Sequence, residues 1–198
     1  SDVYKRQEFE LFDEKFSPLK FKIAKTVLES DYRISLALPK THDSVVVTLS
    51  LKNIAVGSLK DKGLIHQGWS GINLNLARLA EIIPPHLSII DGFWGMEGNG
   101  PVYGEKVEMK IALAGEDFLS VDAVAASLMG FSINDIGYLY LLFKKRDWEE
   151  KDITKKVEIL GNVALEECKR NFKPHQNLAV QLKWKEDKEK LLYLFLKI

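Results

Sequence analysis

Apolar positions along the chain fall into two spacings, and these set the expected elements. Ile72, Leu76, Leu79, Ala80 and Ile83 form one stripe at the helical period, closed by Pro84-Pro85, which predicts a helix over Ile72–Ile83. Leu19, Ile23, Val27 and Leu28 repeat in the same way behind Ser17-Pro18, read as N-cap and first helical residue of a helix reaching Ser30. Further helices are predicted over Leu119–Met129, with Gly130 as its C-terminal cap, and over Asn134–Lys145. Asn162–Arg170 reads as a helix or a single turn of one.

Short apolar runs between these stretches read as strands. They are Arg33–Leu38 (stopped by Pro39), Leu87–Ile90, Val107–Ala114 and Val157–Leu160. Leu178–Trp184 and Leu191–Leu196 read as two strands joined by the charged turn Lys185–Lys190. Val45–Lys52 fits either period, and both readings bring Thr48 and Lys52 together. Gly57–Gly71 and Asp91–Gly104 are glycine-rich and read as loops. The charge run Lys144–Lys156 reads as a solvated face. The alternation predicts an α/β fold: a mostly parallel sheet flanked by helices, with an antiparallel C-terminal strand pair. Residues 8–198 are expected to form a single domain, and Ser1–Gln7 is set aside as a non-native remnant.

Composition narrows the function classes. The 198 residues are 46% hydrophobic and 28% charged, ordinary for a packed domain of this size. Lys plus Arg equals Asp plus Glu at 28 each, so the formal net charge is zero. That argues against a nucleic acid or an anionic membrane as partner, since both favour a basic surface. Cys168 is the single cysteine, so the chain holds neither an intrachain disulfide nor an iron–sulfur cysteine motif. It is expected as a partly buried helix residue. No apolar stretch approaches the length of about 20 residues that spans a bilayer, and no secretory signal is visible. A reducing, cytoplasmic compartment is the expected location.

Candidate chemistry lies in three polar stretches, each following an apolar strand, where open α/β sheets bind ligands. In the first, Pro39-Lys40-Thr41-His42, extended chain points Lys40 and His42 the same way, which suits an anion or an acid/base pair. Thr48, Lys52 and Asn53 add donors close by. The bland alternative is a polar loop with a surface lysine. The second stretch is Asp91 to Gly104, whose glycines permit close backbone approach to a ligand. Asp91 and Glu97 are candidate bases or cation ligands, Asn99 a further polar contact, and Phe93 and Trp94 stacking surfaces; the alternative is a turn-rich connection. The Lys-Ser/Thr of a phosphate loop is missing. The third stretch carries Asp117 and Asp122, whose alternative reading is helix capping and dipole compensation. His66 stands alone in a loop, and no metal-ligand spacing joins it to His42, so no metal site is assigned. His86 and His175 have no useful neighbours in the sequence. No Gly-x-Ser-x-Gly elbow is present, which leaves a hydrolase triad unsupported.

Taken in order, these stretches resemble the prokaryotic family called domain of unknown function 362. The matching residues are Leu38-Pro39-Lys40-Thr41-His42, Thr48-Leu49-Ser50-Leu51-Lys52-Asn53, His66 and Ile90-Asp91-Gly92. Met96-Glu97-Gly98-Asn99-Gly100-Pro101, Gly104, Ala114-Gly115-Glu116-Asp117 and Val121-Asp122-Ala123-Val124 follow, then Met129-Gly130 and Ile159-Leu160-Gly161. The resemblance runs from Glu8 to Pro174 and is most specific in the Met-Glu-Gly-Asn-Gly-Pro stretch. It implies an α/β domain. Many members also carry ferredoxin-like cysteine motifs, which this chain lacks, so an iron–sulfur role does not carry over. Members usually begin with a further strand-rich segment, so the resemblance implies a fragment lacking it, and it transfers no catalytic assignment or cofactor.

Two functional expectations result. One is an enzyme domain binding a small anionic metabolite in a cleft at the strand carboxyl ends, with Lys40, His42 and Lys52 on the anion and an acid among Asp91, Glu97, Asp117 and Asp122 as base or orienter. The other is a non-catalytic module docking an iron–sulfur or redox partner domain, or an assembly partner, through Phe93 and Trp94.

Overall fold

The chain opens with two small antiparallel pairs in a computed structural model that describes residues 4–5 and 9–197. Strand β1 (Tyr4–Lys5) pairs with β4 (Ile23–Ala24), and β2 (Leu11–Phe12) with β3 (Pro18–Leu19). The rest of the stretch set aside as a remnant lies outside the described residues. The helix expected from Ser17 is confined to α1 (Lys25–Glu29). Phe21 and Ile23 are buried two residues apart, a strand spacing, and the pairing of β2 with β3 outcompetes the Ser-Pro start signal.

The central sheet contains β5 (Ile34–Ala37), β6 (Lys40–His42), β7 (Val46–Thr48), β8 (Leu87–Glu97) and β9 (Glu105–Gly115). Strand β8 is its spine. Along one edge it runs parallel to β5 and then to β6, which meets it at Lys40 opposite Met96; along the other it pairs antiparallel with β9. A tight turn after His42 folds β7 back on β6.

Helices α2 (Ser50–Gly57) and α4 (Phe118–Leu128) pack on one face of this sheet, over Ser35, Ala37, Ser88 and Ile90. Beyond them α3 (Gly68–Ile82) runs through the middle of the molecule against α5 (Gly137–Lys145). Its wholly buried Asn75 pins β2 by bonding both the N–H and the C=O of Phe12 at 2.8 Å. Gly130, at φ +87°, lets the chain leave α4 as expected of a C-terminal glycine. The opposite sheet face is open: Ile34 and Leu36 of β5 and Ala112 and Ala114 of β9 are exposed.

The α/β class holds, with three further departures. Asp91–Gly104 is not a loop, because β8 continues through Glu97 and only residues 98–104 turn. Strong pairing with β9, bulged between Gly92 and Trp94, overrides the low strand propensity of the glycines. Val157–Leu160 forms no strand and lies at the surface after α6 (Ile153–Lys156); α7 (Leu165–Cys168) supplies the single turn and leaves Cys168 half-buried. The C-terminal stretches are helical, not paired strands: α8 (Leu178–Gln181) with a 3-10 continuation over Leu182–Asp187, then α9 (Lys188–Leu196). Gln181 with Trp184, and Leu191 with Phe195, are buried at spacings of three and four, the helical period.

Candidate active site

The candidate site is built on the β6–β7 turn and the first turn of α2. Residues opposite each other in an antiparallel pair, and those two apart on one strand, share a face. Lys40 lies opposite Thr48, and His42 opposite Val46, so Lys40, His42 and Thr48 stand on one side of the ribbon. The chain then turns into α2, and Lys52 reaches back until its Nζ is 2.8 Å from His42 Nε2. Both residues are buried, each 5% exposed.

The other side of the His42 ring is also engaged. Nδ1 lies 2.9 Å from Asp43 Oδ1 and receives the Ser44 N–H at 3.0 Å. His66, from the loop before α3, stacks on His42 with ring centroids 6.4 Å apart and planes 11° from parallel. Beside it opens a small hollow of about 150 Å³ lined by Ser44, His66, Gly68, Trp69 and Ile72. Among the described residues no carboxylate lies within ion-pair distance of Lys52. The Thr48 hydroxyl is buried with no hydrogen-bond partner.

Electrostatics follow from this burial. Burial, reinforced by the Lys52 charge, pushes the His42 imidazole down to about 3, so it is neutral at pH 7. Burial brings the Lys52 ammonium down to about 8; the Asp43 carboxylate resists this and the Lys40 charge adds to it. His66 is lowered by burial and then by Lys52. Each of two proton arrangements satisfies one of the two Nδ1 contacts. With Lys52 protonated, it donates to Nε2 and the ring N–H faces Asp43. With Lys52 neutral, Nδ1 accepts the Ser44 N–H and Nε2–H donates to the amine.

Beneath the cluster, Asp122 is wholly buried on α4 and accepts the N–H groups of Ser50 and Leu51 at 2.8 and 2.9 Å. It caps α2 from another element and fixes the turn that carries Lys52. Burial raises its carboxyl to about 7 against the pull of those two bonds.

The remaining expected residues scatter. Asn53 is exposed and donates to the Leu36 carbonyl at 3.1 Å. Asp91 is exposed and accepts the nearby Phe93 N–H at 3.1 Å. Glu97 and Asn99 face the C-terminal segment, taking the N–H of Lys173 at 2.8 Å and of Gln176 at 3.4 Å. Asp117 caps α4 through Ser120 and holds Arg146 by two bonds of 2.7 Å. It lines a separate cleft of about 420 Å³ with Gly115, Trp148, Lys156 and Leu160. One cavity therefore does not unite Lys40, Asp91 and Asp117. Among the described residues no three His, Cys, Asp or Glu side chains gather to hold a metal ion.

The Met96–Pro101 stretch is a joint. Thr41 Oγ1 donates to the Gly98 carbonyl at 2.9 Å, and the Gly98 N–H donates to the Lys173 carbonyl at 2.7 Å. A Cβ on Gly100 would fall 2.3 Å from the Thr41 carbonyl oxygen. These glycines bring chain to chain beside the cluster. The Domain of unknown function (DUF362) family model matches residues 3–127, which include this joint and Lys40, His42, Lys52 and His66. This chain belongs to the DUF362 family. The match stops short of Met129-Gly130 and Ile159-Leu160-Gly161, to which the resemblance extends. A thylakoid-associated protein of Synechocystis sp. is 28% identical over 113 residues, covering 54% of this DUF362 chain and 35% of that protein. The chain thus spans about a third of that relative's length. No solved structure matches it. Among the described residues no helix is long and apolar enough to cross a membrane.

Sequence reasoning overlooked Asp43 and Gln181 and set His175 aside. Asp43 was signalled by adjacency to His42. His175 is buried near enough for its charge to act on His42, and Gln181 bonds the His42 backbone; no local pattern announces either.

Proposed function

We propose that this DUF362 chain binds a small anionic metabolite at the Lys40–His42–Lys52 cluster and performs acid–base chemistry there. The observation that carries the reading is Lys52: a buried amine that rests on a neutral imidazole instead of a carboxylate. A buried ammonium without a counter-ion is costly, and an anionic ligand would relieve it. Lys40 on the same face adds charge to attract that ligand, and the unpartnered Thr48 hydroxyl adds a donor. His42, bonded to Lys52 on one nitrogen and facing Asp43 on the other, can pass a proton between them. Lys40→Ala with His42→Ala should abolish the NMR shifts produced by a panel of small carboxylates and phosphates while leaving the circular dichroism spectrum intact. Shifts that persist in the folded double variant would defeat the reading.

A second reading rests on a different observation. Phe93 and Trp94 are 52% and 37% exposed, and at the hairpin tip Val102 and Tyr103 are 67% and 88% exposed. These exposed apolar side chains suit docking onto another protein, for which an iron–sulfur or redox partner domain is the class proposed. Charge substitutions at Phe93 and Val102 that leave anion binding untouched and break a co-purifying complex would favour it.

A further inference from the structure

The environment of Lys52 allows a more specific statement, which rests on the anion-binding reading above. We propose that Lys52 is a nucleophile that condenses with the carbonyl group of a small anionic aldehyde or 2-oxo acid to form an imine. Four features carry this. The amine is buried at 5% exposure. Its hydrogen-bond partner, His42 Nε2 at 2.8 Å, is an imidazole rather than a carboxylate that would hold it as ammonium. Lys40 lies on the same face of the ribbon, placed to take the ligand's anionic group. The buried Thr48 hydroxyl, opposite Lys40, is unpartnered and can bond the carbonyl oxygen or the carboxylate.

The chemistry balances without an oxidant or reductant. In the arrangement where Lys52 is neutral, its lone pair attacks the carbonyl carbon and the C=O π electrons move to oxygen. The His42 Nε2–H gives that oxygen a proton, and the added nitrogen returns one to the imidazole. The resulting carbinolamine loses water as the C–N bond becomes C=N. The two hydrogens of the amine leave with the former carbonyl oxygen. Lowered basicity of the amine supports the step, because it keeps a usable fraction of Lys52 neutral near pH 7.

The test uses the full chain with glyoxylate and sodium cyanoborohydride, which reduces an imine to a stable secondary amine, followed by peptide mapping by mass spectrometry. Lys110, an exposed lysine, serves as the internal reference. Lys52 should be alkylated faster than Lys110 by about a hundredfold near neutral pH, the order expected of an amine whose basicity is lowered to about 8. An unmodified Lys52, or one modified no faster than Lys110, overturns the proposal. Glycolate, which carries the anion without the carbonyl, separates the two readings. If glycolate shifts the His42 and His66 imidazole signals but glyoxylate leaves Lys52 unmodified, only the imine falls. If glycolate shifts nothing and Lys52 stays unmodified, the anion-binding reading falls with it.

Discussion

Gln181 donates its side-chain amide to the His42 carbonyl at 2.8 Å from 139 residues away, and its Oε1 accepts the Val46 N–H at 2.5 Å. One buried side chain from α8 thus closes the turn that presents His42. Val46 has φ +68°, a conformation that a β-branched residue adopts only under constraint, and this pair of bonds supplies one. Gln181→Ala would leave a buried N–H and a buried C=O unpaired. A loss of about 1–3 kcal/mol in urea unfolding is expected. Gln181→Glu should restore the Val46 bond but not the one to His42.

Asp122 predicts a pH dependence with a definite sign. Its carboxyl is raised in the folded chain, from 3.8 to about 7. The folded state therefore binds more protons than the unfolded one between those values. The resulting stability is fully present below the unfolded value and is lost as pH rises through about 7. In Asp122→Asn that dependence should vanish. Urea midpoints measured across this range should show the wild type losing stability relative to the variant as pH rises. Parallel curves would show that the carboxyl titrates at the same pH in both states.

His42 carries the opposite sign. Its imidazole is lowered from 6.5 to about 3, so on acidification the unfolded chain takes up the proton first. The stability it contributes is present above 6.5 and is lost as pH falls toward about 3. Imidazole NMR signals at pH 5 should show His42 still neutral. A midpoint near 6.5 would mean that the ring is solvated.

Gly100 tests the glycine joint. Gly100→Ala places a methyl against the Thr41 backbone, which cannot yield as a flexible side chain does. A loss of about 1–3 kcal/mol is expected, typical of overpacking. Gly57 has open space around its Cβ position, and Gly57→Ala should be close to neutral.

How much of this was legible in the sequence depends on how far each signal had to reach. The helix at Ile72–Ile83 and the strand at Val107–Ala114 were readable because their patterns are local. The juxtaposition of Lys40, His42, Thr48 and Lys52 was readable for the same reason, since all four lie within thirteen residues. Leu178–Trp184 misled because a short apolar run fits both periods, and only its packing decided for the helix. The roles of Asp117 and Asp122 divided on contacts with Arg146 and with the start of α2, which no spacing in the chain encodes. The glycines of the hairpin read as room for a ligand; the structure fills that room with Thr41, Phe172 and Lys173.

The brace supplied by Gln181 reaches beyond this one turn. It comes from a part of the polypeptide that the DUF362 profile does not cover, yet it secures the turn that carries His42 within the profile. A clone trimmed to the matched span would carry every lysine and histidine of the cluster except His175, and still display the loop unlatched. Boundaries for expression or for grafting this module should be drawn from the hydrogen-bond map and not from the limits of sequence similarity.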